Sequence, residues 1–234
     1  MFTAVAIASI AQTNTVVNDK NAQVRNVTNF HGVKISNGID LYITQGPAEG
    51  VAVSASETKY RDNIKTEVEN GILKIYYDAG IGVHFNWSIG DRKMKAYITL
   101  KDISELTASG GSDVFVQGAL QATSLSLHLT GGSDFHGQVD IGTFTVRQSG
   151  GSDVKISGKA ANIAIDASGG SDFIGYDLVT DNCDIYATGG SDMSVTVNKV
   201  LNVKASGGSD VSYKGTGVIK NYSASGSSDV TRKG

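Results

Sequence analysis

One cysteine and one proline stand among the 234 residues. Cys183 alone can close no intrachain disulfide and cannot build a multi-cysteine zinc site. A single proline beside 29 glycines, with 40 % hydrophobic and 18 % charged residues, describes an ordered, turn-rich soluble chain rather than a disordered one. The 20 basic and 23 acidic side chains leave a formal charge of -3. No Lys/Arg cluster could track a phosphate backbone, so no nucleic-acid partner is expected. A phosphate-cradling loop and a triad-like motif are also missing.

The one apolar run that begins to look like a targeting segment is MFTAVAIASIA, Met1 to Ala11. It is too short to span a bilayer, so no stable membrane span is expected. Its Ser9-Ile10-Ala11 end resembles the cleavage site of a secretory signal peptide whose basic start is absent, with cleavage after Ala11. A frayed terminus or a short buried strand is the alternative. On the first reading the protein is exported, to the cell surface, the periplasm or the exterior.

What the chain has in abundance is one phrase, Gly-Gly-Ser-Asp. Its acid falls at Asp113, Asp134, Asp153, Asp172, Asp192, Asp210 and Asp229, in steps of 21, 19, 19, 20, 18 and 19 residues. The glycine pairs are Gly110-Gly111, Gly131-Gly132, Gly150-Gly151, Gly169-Gly170, Gly189-Gly190 and Gly207-Gly208, and the last copy carries Ser227 in place of its second glycine. A period this regular means stacked repeats.

Aligning the copies on their Asp exposes columns. Before it stand Leu125, Leu127 and Leu129, then Phe144, Val146 and Gln148, then Ile163, Ile165 and Ala167, then Cys183, Ile185 and Ala187, then Leu201, Val203 and Ala205. Just after it stand Val114, Phe135, Val154, Phe173, Met193, Val211 and Val230. Both sets alternate with polar residues, so each copy reads as strand, glycine-rich corner, strand, return turn, with alternate side chains sent inward. One such coil cannot bury its own apolar face, whereas coils stacked at about 4.8 Å give every strand two partners. The expected fold is all-β, a right-handed parallel β-helix of about seven coils of about 19 residues. The last coil, with Lys220 at an inward position and Arg232 and Lys233 at the end, reads as a cap that guards the strand edge.

Upstream, short alternating runs indicate strands. Val33, Ile35, Ile39, Leu41 and Ile43 lie on either side of Asn37-Gly38, and Asn70-Gly71 is set between Ile64–Glu69 and Ile72–Tyr77 as a two-residue hairpin turn. Lys95–Leu100 is a further strand. The organisation expected is residues 1–23 as leader remnant and linker, 24–100 as an N-terminal β region covering one end, and 101–234 as the solenoid.

Paired glycines suit a corner because they accept positive φ and let corners stack without Cβ clashes. Ser and Asp there can bond nearby amides. Carboxylates stacked at the strand spacing repel by about 0.9 kcal/mol per pair at the dielectric of water, which amide bonds of roughly 1.5 to 3 kcal/mol to a charged acceptor offset. A structural Asp ladder therefore needs no cation, and no metal or cofactor is expected. A calcium-bridged scaffold is the alternative, though the spacing differs from that of calcium-binding β-rolls.

Candidate chemistry lies on the outward columns. Asp166 and Asp184 fall on neighbouring coils two residues out of register, hence roughly 8 Å apart by strand geometry, within the range of an inverting glycosidase pair. Arg147 in the column of Asp166 offers a surface ion pair instead. His128 reads as a solvated strand residue, and His31 and His136 have no partner that the alignment places. His84, Phe85 and Trp87 form an aromatic cluster on a loop, either a ligand platform or a plug over the open sheet end. Cys183 falls in an inward column as a small hydrophobe.

The segments FHGVKISNGIDLYITQ at 30–45, VENGILKIYY at 68–77 and KAYITLKDISELTASGGSDV at 95–114, with the repeated corners, resemble the head GIN domain family of auto-transporter adhesins (DUF2807), common in Bacteroidetes. The resemblance spans about residues 24–230. It implies an exported protein with an N-terminal β region leading into a pectin-lyase-like right-handed β-helix, a role in adhesion through a glycan or protein partner, and no catalytic residues to carry over. The reading is a non-catalytic exported binding scaffold. The alternatives are a polysaccharide lyase or hydrolase using Asp166 and Asp184, and a calcium-stabilised structural scaffold.

Overall fold

The computed structural model describes residues 19–80 and 92–234; Met1 to Ala11 and the cluster His84, Phe85 and Trp87 lie outside the described residues. Alternating sequence makes strands almost throughout. The N-terminal part holds β1 (Gln23–Arg25), β2 (Gly32–Ile35), β3 (Asp40–Gln45), β4 (Gly50–Ser54), the short helix α1 (Thr58–Asp62), β5 (Ile64–Glu69), β6 (Ile72–Tyr77), β7 (Lys95–Leu100) and β8 (Glu105–Ser109). Five long strands follow, β9 (Val114–Thr130), β10 (Phe135–Ser149), β11 (Val154–Ser168), β12 (Phe173–Ala187) and β13 (Met193–Ala205). The chain closes with β14 (Asp210–Lys214), β15 (Val218–Ala224) and β16 (Asp229–Arg232).

From β9 to β13 each strand pairs in parallel with the next, in the order of the chain. Phe144 lies opposite Leu125 and Ile163, Ile163 opposite Cys183, and Cys183 opposite Leu201. The result is a parallel β-solenoid of about seven turns. Every residue of the three inward columns from Leu125 to Ala205 is buried, as are Val114, Phe135, Val154, Phe173, Met193 and Val211. One continuous core runs from Phe30 to Val211.

Two details depart from the expected coil. No return turn interrupts the long strands; they bend instead at register shifts, between His136 and Gln138 and between Gly175 and Val179, for example. A bulge turns the strand while keeping the ladder on either side of it. Lys220 is not inward: Ile219 pairs with Leu201, Asn221 pairs with Asn202, and Lys220 is the extra residue of a bulge, exposed to solvent. Burying a lone ammonium is costly, and the slip replaces it with an isoleucine.

The N-terminal strands join the same stack. β2 pairs in parallel with β8, and β3 in parallel with the start of β9, so residues 32–45 form a coil of their own. Its corner is Asn37-Gly38, with φ of 68° at both residues, matching Gly110 (66°) and Gly111 (73°). Asn tolerates the left-handed region better than most side chains. On the far side of this coil, β6 pairs with β2 and β7 with β3, again in parallel. The stack is finished by antiparallel strands, β5 on β6 through the turn at Asn70-Gly71 and β4 on β7, with β1 along β4.

Candidate functional site

Corner and outward face are the two places where the stacking brings chemistry together. At the corner, Oδ1 of each Asp accepts the backbone N–H of the next one: Asp134 to Asp113 at 3.1 Å, Asp153 to Asp134 at 3.0 Å, Asp172 to Asp153 at 3.2 Å. The row continues through Asp192, Asp210 and Asp229 at 3.3, 3.4 and 3.2 Å. The amide bond expected within a turn is thus made between coils. A buried serine ladder runs the opposite way, with the N–H of Ser112 donated to Oγ of Ser133 on the following coil at 3.0 Å and that of Ser133 to Ser152 at 3.4 Å. Ser152, Ser171, Ser191 and Ser209 each donate their hydroxyl to the carbonyl three residues earlier.

The carboxyls of Asp113 and Asp172 are pushed above the usual carboxylate range, chiefly by burial and further by the neighbouring acids, against the pull of the amide that each accepts. Among the described residues no three His, Cys, Asp or Glu side chains gather as a metal-ligand set. The glycines differ along the stack. Both members of the first three pairs, Gly110 to Gly151, have positive φ, whereas in the later corners only Gly169, Gly189 and Gly207 do, not Gly170, Gly190 or Gly208. Ser227 occupies that second position in the last copy, where Gly226 alone carries the positive φ.

On the outward face of the strand halves that precede the corners, a shallow trough of about 440 Å³ crosses β10 to β15. One column along it holds Thr145, Ala164, Asp184, Asn202 and Asn221; the other holds Arg147, Asp166, Tyr186, Lys204 and Ser223. Asp166 lies opposite Tyr186 and Asp184 opposite Ala164, so the two acids share the trough two residues out of register. Asn202 Nδ2 donates to Asp184 Oδ1 at 2.6 Å, and Asn221 Nδ2 donates to Asn202 Oδ1 at 2.7 Å. The ammonium of Lys204 sits 5.2 Å from the ring centre of Tyr186. Arg147 and Asp166 stand opposite each other, yet among the described residues they close no ion pair. Both Asp166 and Asp184 are exposed.

Beyond the corner the outward face carries a row of rings drawn from four places in the sequence. Tyr97 stacks on Tyr42 at 5.2 Å, Tyr42 on Phe115 at 5.2 Å and Phe115 on His136 at 5.4 Å. Here is the partner of His136 that the alignment could not place, and His31 bonds Ser104 through Nδ1 at 3.0 Å. Because the rings face one another along the stack, both faces of Tyr42 and Phe115 are covered within the protein, and the row stiffens the sheet. His128 is exposed, opposite Arg147. Cys183 is buried, and desolvation pushes its thiol pKa up.

The family described as "Putative auto-transporter adhesin, head GIN domain" matches residues 29–217. Among solved structures, a "putative adhesin" of Bacteroides fragilis shares 20 % identity with a TM-score of 0.78, over 91 % of this chain and 96 % of that one. A "putative adhesin" of Parabacteroides merdae shares 14 % with a TM-score of 0.70, over 91 % and 95 % of the two chains. A "putative lipid binding protein" of Parabacteroides distasonis shares 16 % with a TM-score of 0.67, over 92 % and 98 %. At these identities the likeness is one of fold. No curated protein matches the chain.

Proposed function

The chain belongs to the head GIN domain family, and on that footing we propose that it is a non-catalytic, exported or cell-surface solenoid whose outward face holds a partner, a glycan or another protein. The observation that supports this reading is the trough. It is open, it is lined by Tyr186, Tyr222 and charged and amide side chains on rigid strands, and its opposite charges at Arg147 and Asp166 are not consumed by each other. Strands hold the backbone beneath such groups fixed, so that binding has only their side chains left to order.

A glycosidase would ask more of the same residues. General-acid catalysis by a carboxyl relies on burial to keep it protonated, and Asp166 and Asp184 are both exposed, with Asp184 held by an asparagine amide. Incubating the protein with neutral and acidic polysaccharides should release no new reducing ends or unsaturated products; cleavage that disappears in Asp166→Asn would overturn the reading. Adhesion itself is tested with beads coated with the protein, applied to mucin, polysaccharide and cell surfaces and compared with uncoated beads. Equal retention on all of them argues against a binding scaffold. For export, expression of the whole gene followed by fractionation and N-terminal sequencing should give a processed chain that begins after Ala11.

A further inference from the structure

The trough runs along the axis of the solenoid, not across it. Its rows reach from Thr145 and Arg147 on β10 to Asn221 and Ser223 on β15, four strand spacings, or about 19 Å. Each coil contributes one pair of outward side chains, so the recognition groups repeat at about 4.8 Å. That interval is comparable to the advance of one pyranose unit along an extended glycan.

The groups suit hydroxyls. The two asparagine bonds run in one sense, from Asn221 to Asn202 to Asp184. They hold the three side chains in place and leave Asp184 Oδ2 and Asn221 Oδ1 as acceptors, with an amide proton of Asn202 and one of Asn221 as donors. A sugar hydroxyl donates and accepts at once, and bonds to a carboxylate or guanidinium are the stronger kind. The charge along the trough cancels: Arg147 and Lys204 against Asp166 and Asp184. An acidic polysaccharide therefore gains no steering here. Tyr186, 43 % exposed, adds an apolar surface for the C–H side of a sugar ring. A protein partner would instead favour a cluster of aromatic and apolar anchors at the centre of its footprint, whereas the two exposed rings of the trough stand apart, Tyr186 in the middle coils and Tyr222, 58 % exposed, two strands further on at its end.

We infer that this trough binds a linear, uncharged glycan laid along the solenoid axis, about one sugar per coil, with Asp184, Asn202 and Asn221 reading its hydroxyls. This rests on the reading of the chain as a binding scaffold and narrows its ligand to one class.

Calorimetry on the whole protein with neutral oligosaccharide ladders of glucan, mannan, galactan and xylan type tests it, with polygalacturonate as the acidic comparison. Affinity for at least one neutral series should rise with length to about four or five units and then level off, with little dependence on salt. Asn202→Ala and Tyr186→Ala should each weaken it about tenfold or more while leaving the melting curve in place; Lys159→Ala, whose ammonium instead pairs with Asp140 outside the trough, should change nothing. Failure of every neutral series overturns the inference, as does binding that both trough variants leave intact, or binding confined to the acidic polymer. If coated beads still adhere in those cases, the scaffold reading stands without this site. Loss of a protein partner in the trough variants, with no glycan bound, would make the trough a protein interface and would also overturn it.

Discussion

The backbone N–H of Asp134 donates to Oδ1 of Asp113 at 3.1 Å, across a coil boundary 21 residues wide. Ser112, next to that acceptor, sends its own N–H the other way, to Oγ of Ser133 at 3.0 Å. Two adjacent residues of the phrase thus bond across the same boundary in opposite senses, and its repetition at Ser133 and Asp134 ties that coil to the next as well. In all seven copies of the phrase both Asp and Ser take part in bonds between coils.

The Asp ladder carries a pH signature. Burial and the flanking Asp153 and Asp192 raise the pKa of Asp172, so the folded chain holds this proton more tightly than the unfolded one. Its contribution to stability is therefore largest below the unfolded pKa and is lost as pH rises through the folded value. Asp172→Asn keeps an acceptor for the N–H of Asp192 and removes the charge. It should melt at or above the wild-type temperature at pH 7, the gap closing as the pH falls into the carboxylate range. Asp172→Ala, which loses the acceptor, should instead cost about 1 kcal/mol at pH 7. Thermal melts of the three proteins across pH check both.

The serine ladder is buried, so its loss is dearer. Ser171 accepts the N–H of Ser152 and donates to the carbonyl of Ser168. Ser171→Ala leaves both without that partner in a site closed to water, and denaturant unfolding should show a loss of about 1 to 3 kcal/mol.

The two glycines of a late corner are not equivalent. Gly189 has φ +81°, and a Cβ there would come 2.6 Å from the carbonyl oxygen of Gly169. At Gly190 the φ is ordinary and a Cβ would lie 3.8 Å from the same atom. Gly189→Ala should destabilise by about 2 kcal/mol or more, since the left-handed backbone alone costs an L-residue roughly 1 to 2, whereas Gly190→Ala should stay within about 0.5 kcal/mol of wild type. Urea titrations of the pair separate them. The natural Ser227 at the equivalent place is the same substitution already made.

Cys183 should be silent toward thiol reagents in the folded protein and react fully in denaturant, because it is buried in the core and desolvation opposes its thiolate. Labelling counted by mass spectrometry with and without denaturant is sufficient. Modification under native conditions would show that the column from Ile163 to Leu201 opens.

Where neighbours in the stack are also neighbours in the chain, the sequence was legible. The columns from Leu125 to Ala205 fall inside because each strand meets the next at a nearly constant interval, and periodicity reports that interval. It reports nothing about residues 32–45, whose neighbours in the stack are residues 72–77 and 95–100 on one side and 105–117 on the other. Hence the period does not mark Ser36-Asn37-Gly38-Ile39-Asp40 as another corner, although its order of Gly and Asp matches the repeat. Ile39 stands where the other corners have serine and gives its N–H to Ser112. The stack of Tyr97, Tyr42, Phe115 and His136 was hidden for the same reason. At Lys220 the failure was of another kind, for a one-residue slip changes which side chain faces in and the period cannot register it. Of the trough, the columns and the two acids were legible; the asparagine relay across three coils needed side-chain geometry.

That crossed order makes the two ends of the molecule unlike. From β16 backwards the coils follow one another in the order of the chain, so a cut there removes the outermost pairings and leaves those beneath in register. Removing residues 23–45 would instead take out an inner layer, stranding the coil of β6 and β7 and uncovering the one that begins at β8. A growing chain meets the same constraint: its first coil finds both of its lasting neighbours only after residue 117 has been made, so assembly cannot proceed layer by layer from the first residue onward.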